Sequence, residues 1–188
     1  LLDGTQVDVS DGGSVAFPSV TSFAHIGTES YDDVSWKVAG PGSLLDASQI
    51  TEIIGSTAYD ADLLFTTDYG AEILLGGVTN LSEAVGDSRY KSTRFYSTDP
   101  GSRIDLTSLV SFVDLQGSQV SGEGEYSRLA ASRGGQIEVT ESFTTADGIY
   151  MTFDGSGTFA PTGLQSLINS RIDVAKEQFS LPALTTFE

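Results

Sequence analysis

The sequence predicts an all-β fold, a right-handed parallel β-helix (solenoid) of about six to seven coils. Three observations predict it. One spacing of apolar residues recurs along the whole chain, a tight turn precedes most copies of it, and a short strand-like segment precedes each turn. The copies begin at positions 12, 42, 70, 101, 134, 156 and 176. Repeats of this length are typical of chains in which each unit is one supersecondary element.

The apolar spacing is clearest after Gly12, where Val15, Phe17, Val20 and Phe23 follow at offsets of three, five, eight and eleven residues. The first two are two residues apart, so both side chains point to one face of a strand. The copy that begins at position 134 slips by one residue at its third member, Phe143. The seven copies predict one inward-facing set of apolar side chains per coil.

Turn and strand signals flank each copy. The strand-like segment Val7-Asp8-Val9 is followed by the turn sequence Ser10-Asp11-Gly12, and Trp36-Lys37-Val38 is followed by Gly40-Pro41-Gly42. Gly accepts a positive φ, Pro presets φ, and Asp bonds nearby backbone amides, so these tripeptides favour tight turns. Polar segments of varying length follow the early copies and predict loops on one side of the stack.

Such a unit cannot bury its apolar face alone, but it can when parallel copies stack on it. A leucine-rich solenoid is the main alternative, but it needs a recurring Asn or Cys and a repeated helix, which the sequence lacks. A β-sandwich is the third possibility, since many short strands would suit it. The most helix-like stretch is Thr162 to Lys176, where alternation in Arg171-Ile172-Asp173-Val174 favours a strand.

Composition restricts the function classes. The chain has 188 residues, no cysteine and a formal net charge of -17. Disulfides, thiolate metal sites and Cys nucleophiles are therefore excluded. The acidic surface would repel nucleic acid and anionic membranes, and no apolar run is long enough for a transmembrane helix, so we expect neither partner. The acids serve mainly to keep the molecule soluble.

The phrases Gly13 to Phe23 and Phe179 to Phe187 resemble the repeats of very large secreted β-helical surface proteins of bacteria, of adhesin type. We expect a single β-helix domain over residues 1–188, and the absence of an initiator Met suggests that it is cut from a longer chain whose further coils would be its neighbours. The repeat array, the absence of cysteine and the acidity favour an extracellular or cell-surface location and a non-enzymatic structural or adhesive function, with a polysaccharide or other cell-surface ligand. The resemblance supplies no catalytic motif and requires no cofactor.

The outward positions of the second strand hold the main candidate site. Stacking of adjacent coils would bring Glu72, Arg103, Asp105 and Glu138 within several Å of one another. Two carboxylates can act as acid and base on a glycosidic bond, and acids with Arg and Ca²⁺ could support a lyase. The alternative function is therefore a polysaccharide-binding or polysaccharide-cleaving module. Cross-strand charge pairs on an exposed face explain the same pattern without catalysis.

Further candidates lie on the loops. Asp32, Asp33, Asp60 and Asp62 could bind Ca²⁺, since hard cations take oxygen ligands, although EF-hand spacing is absent. His25 is the only histidine, and we expect it to be structural. Tyr31, Tyr59 and Tyr90 recur at one position of the repeat. They would either pack the loops onto the rod or, if exposed, stack on sugars.

Overall fold

The computed structural model describes residues 2–25, 29–84, 89–116, 125–176 and 178–188. Within those ranges the chain forms twenty short β-strands and no helix. In chain order the strands are β1 Leu2–Asp3, β2 Val7–Val9, β3 Ser14–Ala16, β4 Ser22–Ala24, β5 Val34–Ala39, β6 Leu44–Asp46, β7 Glu52–Ile54, β8 Leu63–Asp68, β9 Glu72–Leu74, β10 Asn80–Ser82, β11 Thr93–Thr98, β12 Arg103–Asp105, β13 Ser111–Val113, β14 Ser127–Ser132, β15 Gln136–Glu138, β16 Thr145–Asp147, β17 Ile149–Phe153, β18 Ser166–Ile168, β19 Arg171–Val174 and β20 Thr186–Phe187.

The strands form three parallel sheets, and each full coil contributes one strand to each. The first sheet contains β2, β5, β8, β11, β14, β17 and β19; the second contains β3, β6, β9, β12 and β15. The third contains β1, β4, β7, β10, β13, β16, β18 and β20. Strands of successive coils are neighbours in each sheet, and their pairing is parallel. This is the predicted parallel β-helix.

The turn between the first and second sheets exists in two forms. Asp11 and Gly12 have φ of 55° and 80°, and the Gly13 amide donates to the Ser10 carbonyl at 2.9 Å. Two consecutive positive φ values mark a type I′ turn. In the next coil, Pro41-Gly42 has φ of 76° at the glycine, the pattern of a type II turn. Both forms connect a strand of the first sheet to a strand of the second.

The core consists of apolar ladders along the coil axis. Trp36, Phe65 and Phe95 occupy one register column of the first sheet. The rings of Phe65 and Phe95 stack with centroids 4.6 Å apart and planes 3° apart. In the third sheet, Phe23 and Ile53 are register partners at the predicted offset of eleven, and both are buried. All four predicted inward positions are buried in the copies that begin at 42, 70 and 101, whereas Val15, Phe17 and Val20 of the first copy are partly buried against the core.

The late coils are less regular. Phe143, the residue at the predicted slip, is buried. The second sheet ends at β15, and the next coil contributes only an isolated bridge from Thr158 to Gln136. Residues 166–168 and 171–174 are strands, so the strand interpretation of this stretch is confirmed. The predicted polar loops fall partly on residues 26–28, 85–88 and 117–124, which lie outside the described residues.

Candidate functional site

The four residues of the predicted outward cluster meet on the second sheet. Arg103 of β12 is the register partner of Glu72 on β9, and Asp105 is the partner of Glu138 on β15. These strands alternate between a buried central residue and partly exposed flanks, so all four side chains lie on the outer face. Parallel pairing without a register shift explains why residues distant in sequence meet here.

Arg103 is the centre of this cluster. Its Nε lies 2.9 Å from Glu72 Oε2, and its Nη1 lies 2.6 Å from Glu138 Oε2 and 3.6 Å from Asp105 Oδ2. Partial burial opposes the charge on Arg103, but the hydrogen bonds to Glu138 and Glu72 outweigh it and raise the pKa of the guanidinium. Three carboxylates thus share one cation, an arrangement that makes an effective cross-strand ion network.

Asp105 is also held by its own coil. Its Oδ1 accepts hydrogen bonds from the Thr107 amide at 3.0 Å and the Thr107 hydroxyl at 2.8 Å. Its Oδ2 lies over Gly76, where an added Cβ would approach to 3.0 Å. The Asp105 carboxylate is therefore held by hydrogen bonds within its own coil, and Arg103, to which it is also paired, belongs to the same strand. A catalytic role for Glu72, Arg103, Asp105 and Glu138 stays a prediction.

The four aspartates predicted for Ca²⁺, Asp32, Asp33, Asp60 and Asp62, have different surroundings, and their role in binding Ca²⁺ stays a prediction. Asp62 is buried and pairs with Arg94 at 3.0 Å, while Ser92 Oγ donates to its other oxygen at 2.8 Å. Asp33 Oδ1 accepts the Asp62 amide at 2.9 Å. Asp60 lies at a turn with φ of 49°. Among the described residues, no three acidic or histidine side chains are arranged to hold a metal ion.

The predicted tyrosine file is present. Tyr59 lies between Tyr31 and Tyr90, with ring centroids 5.3 and 5.6 Å away and planes nearly perpendicular. The side-chain hydrogen bond with Tyr31 raises the pKa of Tyr59. Arg89 covers the Tyr59 ring at 4.7 Å. Edge-to-face contacts link neighbouring loops, while Tyr31 at one end of the file is 68% exposed, so stacking of a sugar on Tyr31 stays a prediction.

His25 is buried beside the end of β4. Its Nε2 lies 2.5 Å from the Asp32 carbonyl, and because a carbonyl only accepts, Nε2 carries the proton and donates. Its backbone amide donates to Ile54 of the next coil at 2.9 Å. The side chain therefore ties the corner between the third and first sheets to the following loop, as a structural histidine would.

A second charged group, which sequence reasoning missed, lies at that same corner. We call Glu83, Lys91 and Asp114, with the hydroxyls of Thr93 and Ser127, the buried charge cluster. Glu83 and Asp114 each follow a third-sheet strand directly, in adjacent coils. Thr93 and Ser127 begin first-sheet strands in the same coils. The cluster is therefore enclosed where the chain passes between two sheets.

Hydrogen bonds link the buried charge cluster. Thr93 Oγ1 donates to Glu83 Oε1, and Ser127 Oγ donates to Asp114 Oδ2 at 2.9 Å. Lys91 is 2% exposed, and its Nζ donates to the carbonyls of Ser56, at 2.7 Å, and of Ala84. The cation thus binds main-chain oxygens of two coils, with the carboxyl groups nearby.

Burial dominates the protonation of these acids. It raises the pKa of Glu83 to about 8, with the charge of Asp114 adding to the shift and Thr93 and Lys91 opposing it. Some surface of the residue is exposed, but its carboxyl oxygen Oε2 is buried and has no hydrogen-bond partner among the described residues. Burial also raises the pKa of Asp114, against hydrogen bonds from Ser127 and Gln116. At neutral pH the Glu83 carboxyl is mainly protonated.

A periodic signal for this cluster exists in the sequence. An offset of thirteen from the first four repeat starts gives His25, Gly55, Glu83 and Asp114. Their backbones are neighbours, because the amides of His25, Gly55 and Glu83 donate to the carbonyls of Ile54, Ser82 and Val113, which directly precede the next member of the set. Gly55 leaves the space that Glu83 fills, because an added Cβ would lie 2.1 Å from Glu83 Oε1.

Two shallow depressions lie elsewhere on the surface. One, of 240 Å³, is lined by Phe159, Pro161 and Phe179 among others. The other, of 360 Å³, involves Asp8 and Lys37 of the first sheet. Neither contains the Arg103 cluster. In the described ranges there is also no helix of the length and hydropathy that crossing a membrane requires.

Comparison with known proteins gives no relatives: no family model, curated protein or solved structure matches the chain. The resemblance to adhesin-type repeats therefore stays a prediction from the sequence pattern.

Proposed function

We propose that this chain is a non-enzymatic structural and adhesive segment of an extracellular bacterial surface protein. The observation that carries the proposal is that successive coils add strands to the same parallel sheets, through β15 in the second sheet and through β19 and β20 in the first and third. Each added coil extends the apolar core and also repeats the outward columns of side chains. An architecture of this kind offers a long, regular surface that needs no catalytic pocket.

Charge distribution supports a structural function. The acids of the predicted catalytic cluster are engaged by Arg103, and those of the corner are buried. The net charge of -17 disfavours aggregation of extended molecules through mutual repulsion. These features suit a segment that must remain folded and separate at a cell surface.

The location is tested by antibody labelling of intact cells of the natural source. The proposal expects labelling without permeabilisation, and loss of the epitope after brief protease treatment of whole cells. Labelling that requires permeabilisation would contradict it.

Polysaccharide cleavage is the second candidate, favoured by the convergence of Glu72, Asp105 and Glu138 on one exposed face. The test incubates the chain with a panel of acidic polysaccharides, with Ca²⁺ and with chelator, and measures reducing ends and unsaturated products. A structural segment gives no products. Cleavage by the wild type that disappears in Glu138→Gln would establish the second candidate instead.

A further inference from the structure

The outer face of the first sheet carries a cationic and aromatic group that none of the candidate sites includes. In β14 the outward residues are Arg128, Ala130 and Ser132. Parallel pairing places Arg128 beside Arg94 on one side and Tyr150 on the other. Ala130 lies between Tyr96 and Thr152 in the next outward column. A small side chain is thus surrounded by two tyrosines, a threonine and an arginine.

Arg128 is held in a defined orientation. Its guanidinium carbon lies 4.4 Å from the centroid of the Tyr150 ring and 5.6 Å from that of Tyr96. Its Nη2 donates to Thr152 Oγ1 at 2.9 Å. Stacking of a planar guanidinium on aromatic rings limits its rotation, so that the remaining N–H groups point in fixed directions.

Tyr150 is fixed as well. Its hydroxyl donates to Asp173 Oδ2, and the Arg171 guanidinium covers its ring at 4.7 Å. Arg171 also binds Asp173 through two hydrogen bonds, of 3.1 and 2.8 Å. Hydrogen bonds from Arg171 and Tyr150 lower the pKa of Asp173, which therefore stays ionised and neutralises Arg171.

Arg128 is not paired in this way, although its charge also helps to lower the pKa of Asp173. Arg94, Arg103, Arg133 and Arg171 each bind a carboxylate. Within the described part of the chain, no carboxylate lies at ion-pair distance from Arg128, and its buried Nε has no hydrogen-bond partner. In a chain with 26 acids and 9 bases, an oriented arginine without a carboxylate at ion-pair distance is unexpected.

We propose that Arg128, Tyr96, Tyr150 and Thr152 form a binding site for the carboxylate of a short acidic saccharide. An oriented guanidinium matches the geometry of a carboxylate, the Tyr96 ring offers a face to the C–H groups of a sugar, and Thr152 offers a hydroxyl, while Tyr150, covered by Arg128 and Arg171, orients Arg128. The overall negative charge repels long polyanions, which favours a ligand with one acidic sugar over a nucleic acid. The inference deepens the proposed adhesive function by naming its ligand class.

The test compares cellobiouronic acid, which carries one carboxylate, with neutral cellobiose as the matched probe. Binding is followed by chemical-shift changes during titration of the folded chain. We expect the acidic disaccharide to bind with a Kd on the order of 1 mM at low salt, and the neutral one about tenfold more weakly. Absence of saturable binding up to about 20 mM acidic disaccharide would overturn the inference.

Two substitutions make the test specific. Arg128→Gln is expected to weaken binding of the acidic disaccharide about tenfold or more, because it removes a charge-assisted hydrogen bond. Arg133→Gln is the matched control, since Arg133 pairs with Asp99 at 2.9 Å and lies outside the site. Equal affinity of the Arg128→Gln and Arg133→Gln chains would contradict the inference.

The substitution Tyr96→Ala tests the aromatic part of the site independently of the charge. Thermal unfolding of each variant verifies that the fold is intact. The inference expects Tyr96→Ala to weaken binding of both disaccharides, and binding unaffected by this change would contradict the role given to the ring. Absence of saccharide binding would overturn the inference without affecting the result of antibody labelling on intact cells. The inference and the proposed function can therefore fail separately.

Discussion

The Arg103 cluster and the buried charge cluster have the same ingredients and opposite surroundings. Each combines acids from adjacent coils with one cation. In the first, the side chains of Glu72 and Glu138 are 43% and 40% exposed on an open sheet face. In the second, Lys91 is 2% exposed and the carboxyl of Glu83 is enclosed at a corner. Stacking of adjacent coils brings charged side chains together in both clusters, and solvent access decides whether they form exposed ion pairs or take up protons.

The consequences for stability differ accordingly. Exposed ion pairs contribute little because water and salt screen them. Enclosed charges lose their hydration, so a carboxyl there takes up a proton or depends on a nearby cation. The following changes, from the largest expected effect to the smallest, separate the two clusters.

Lys91→Met should have the largest effect. Removal of the ammonium leaves buried carbonyl oxygens unpaired and Asp114 without its nearby cation, and we expect a loss of about 3–5 kcal/mol of unfolding free energy. Urea denaturation measures it. The matched control is Lys37→Met, an exposed lysine on the first sheet, which should change the free energy by about 0.5 kcal/mol or less. Equal effects of the two changes would contradict the enclosed-charge account.

The pH dependence of stability tests Glu83. Its pKa is raised from 4.5 to about 8 in the folded chain, so the folded state holds more protons than the unfolded state between those values. The stability from Glu83 is full below about pH 4.5 and is lost as the pH rises through about 8. Asp62, with its pKa raised to about 6 by burial, adds to the same trend. We expect a fall of a few kcal/mol, since each pKa unit corresponds to about 1.4 kcal/mol.

Glu83→Gln and Glu72→Gln distinguish the clusters in this experiment. The amide of Glu83→Gln cannot ionise, so urea midpoints should vary less with pH in that chain. Glu72→Gln alters the exposed cluster and should leave the wild-type slope in place. A slope that Glu83→Gln does not reduce would contradict the assignment.

Gly55→Ala tests the packing of the buried charge cluster. The new Cβ would lie 2.1 Å from Glu83 Oε1, so the Glu83 side chain must move, at a cost of about 1–3 kcal/mol. The second substitution Glu83→Ala makes room for the methyl group. A double-mutant cycle by urea denaturation should therefore show strong coupling, and strictly additive effects would contradict the contact.

Arg103→Gln should have the smallest effect. Loss of the guanidinium leaves Glu72, Asp105 and Glu138 close together, yet exposure limits the cost to about 1 kcal/mol. Denaturation at low and high salt measures it, and added salt should reduce the loss because it screens the remaining carboxylates. A loss as large as that of Lys91→Met, insensitive to salt, would show that the two clusters do not differ.

The sequence predicts much of the fold because apolar side chains recur at fixed offsets. Val15, Leu45 and Ile73 mark one ladder, and once the coils are aligned the outward neighbours of each ladder follow by counting. The proximity of Arg103 to Glu72 and Glu138 was predictable in this way. No side-chain conformation was needed, only parallel pairing in register.

The buried charge cluster could not be predicted from residue type, because its column contains unlike residues. Gly55 belongs with Glu83 only through the space that it leaves, which depends on how the Glu83 side chain is placed. Asp62 illustrates the same limit. Its carboxylate suggested a Ca²⁺ ligand, but Arg94 from the next coil pairs with it. A residue pattern within one coil cannot predict contacts between long side chains of different coils.

The coil stacking that underlies both clusters can be measured directly with pairs of spin labels. The chain has no cysteine, so Cys substitutions at Asp8, Ala130 and Thr152 label uniquely. These positions belong to one outward column, with Ala130 four strands and Thr152 five strands from Asp8. At about 4.8 Å per coil, double electron–electron resonance should give about 19 Å for Asp8 to Ala130 and about 24 Å for Asp8 to Thr152. Broad distributions, or a second distance that does not exceed the first by about one coil spacing, would contradict the parallel β-helix.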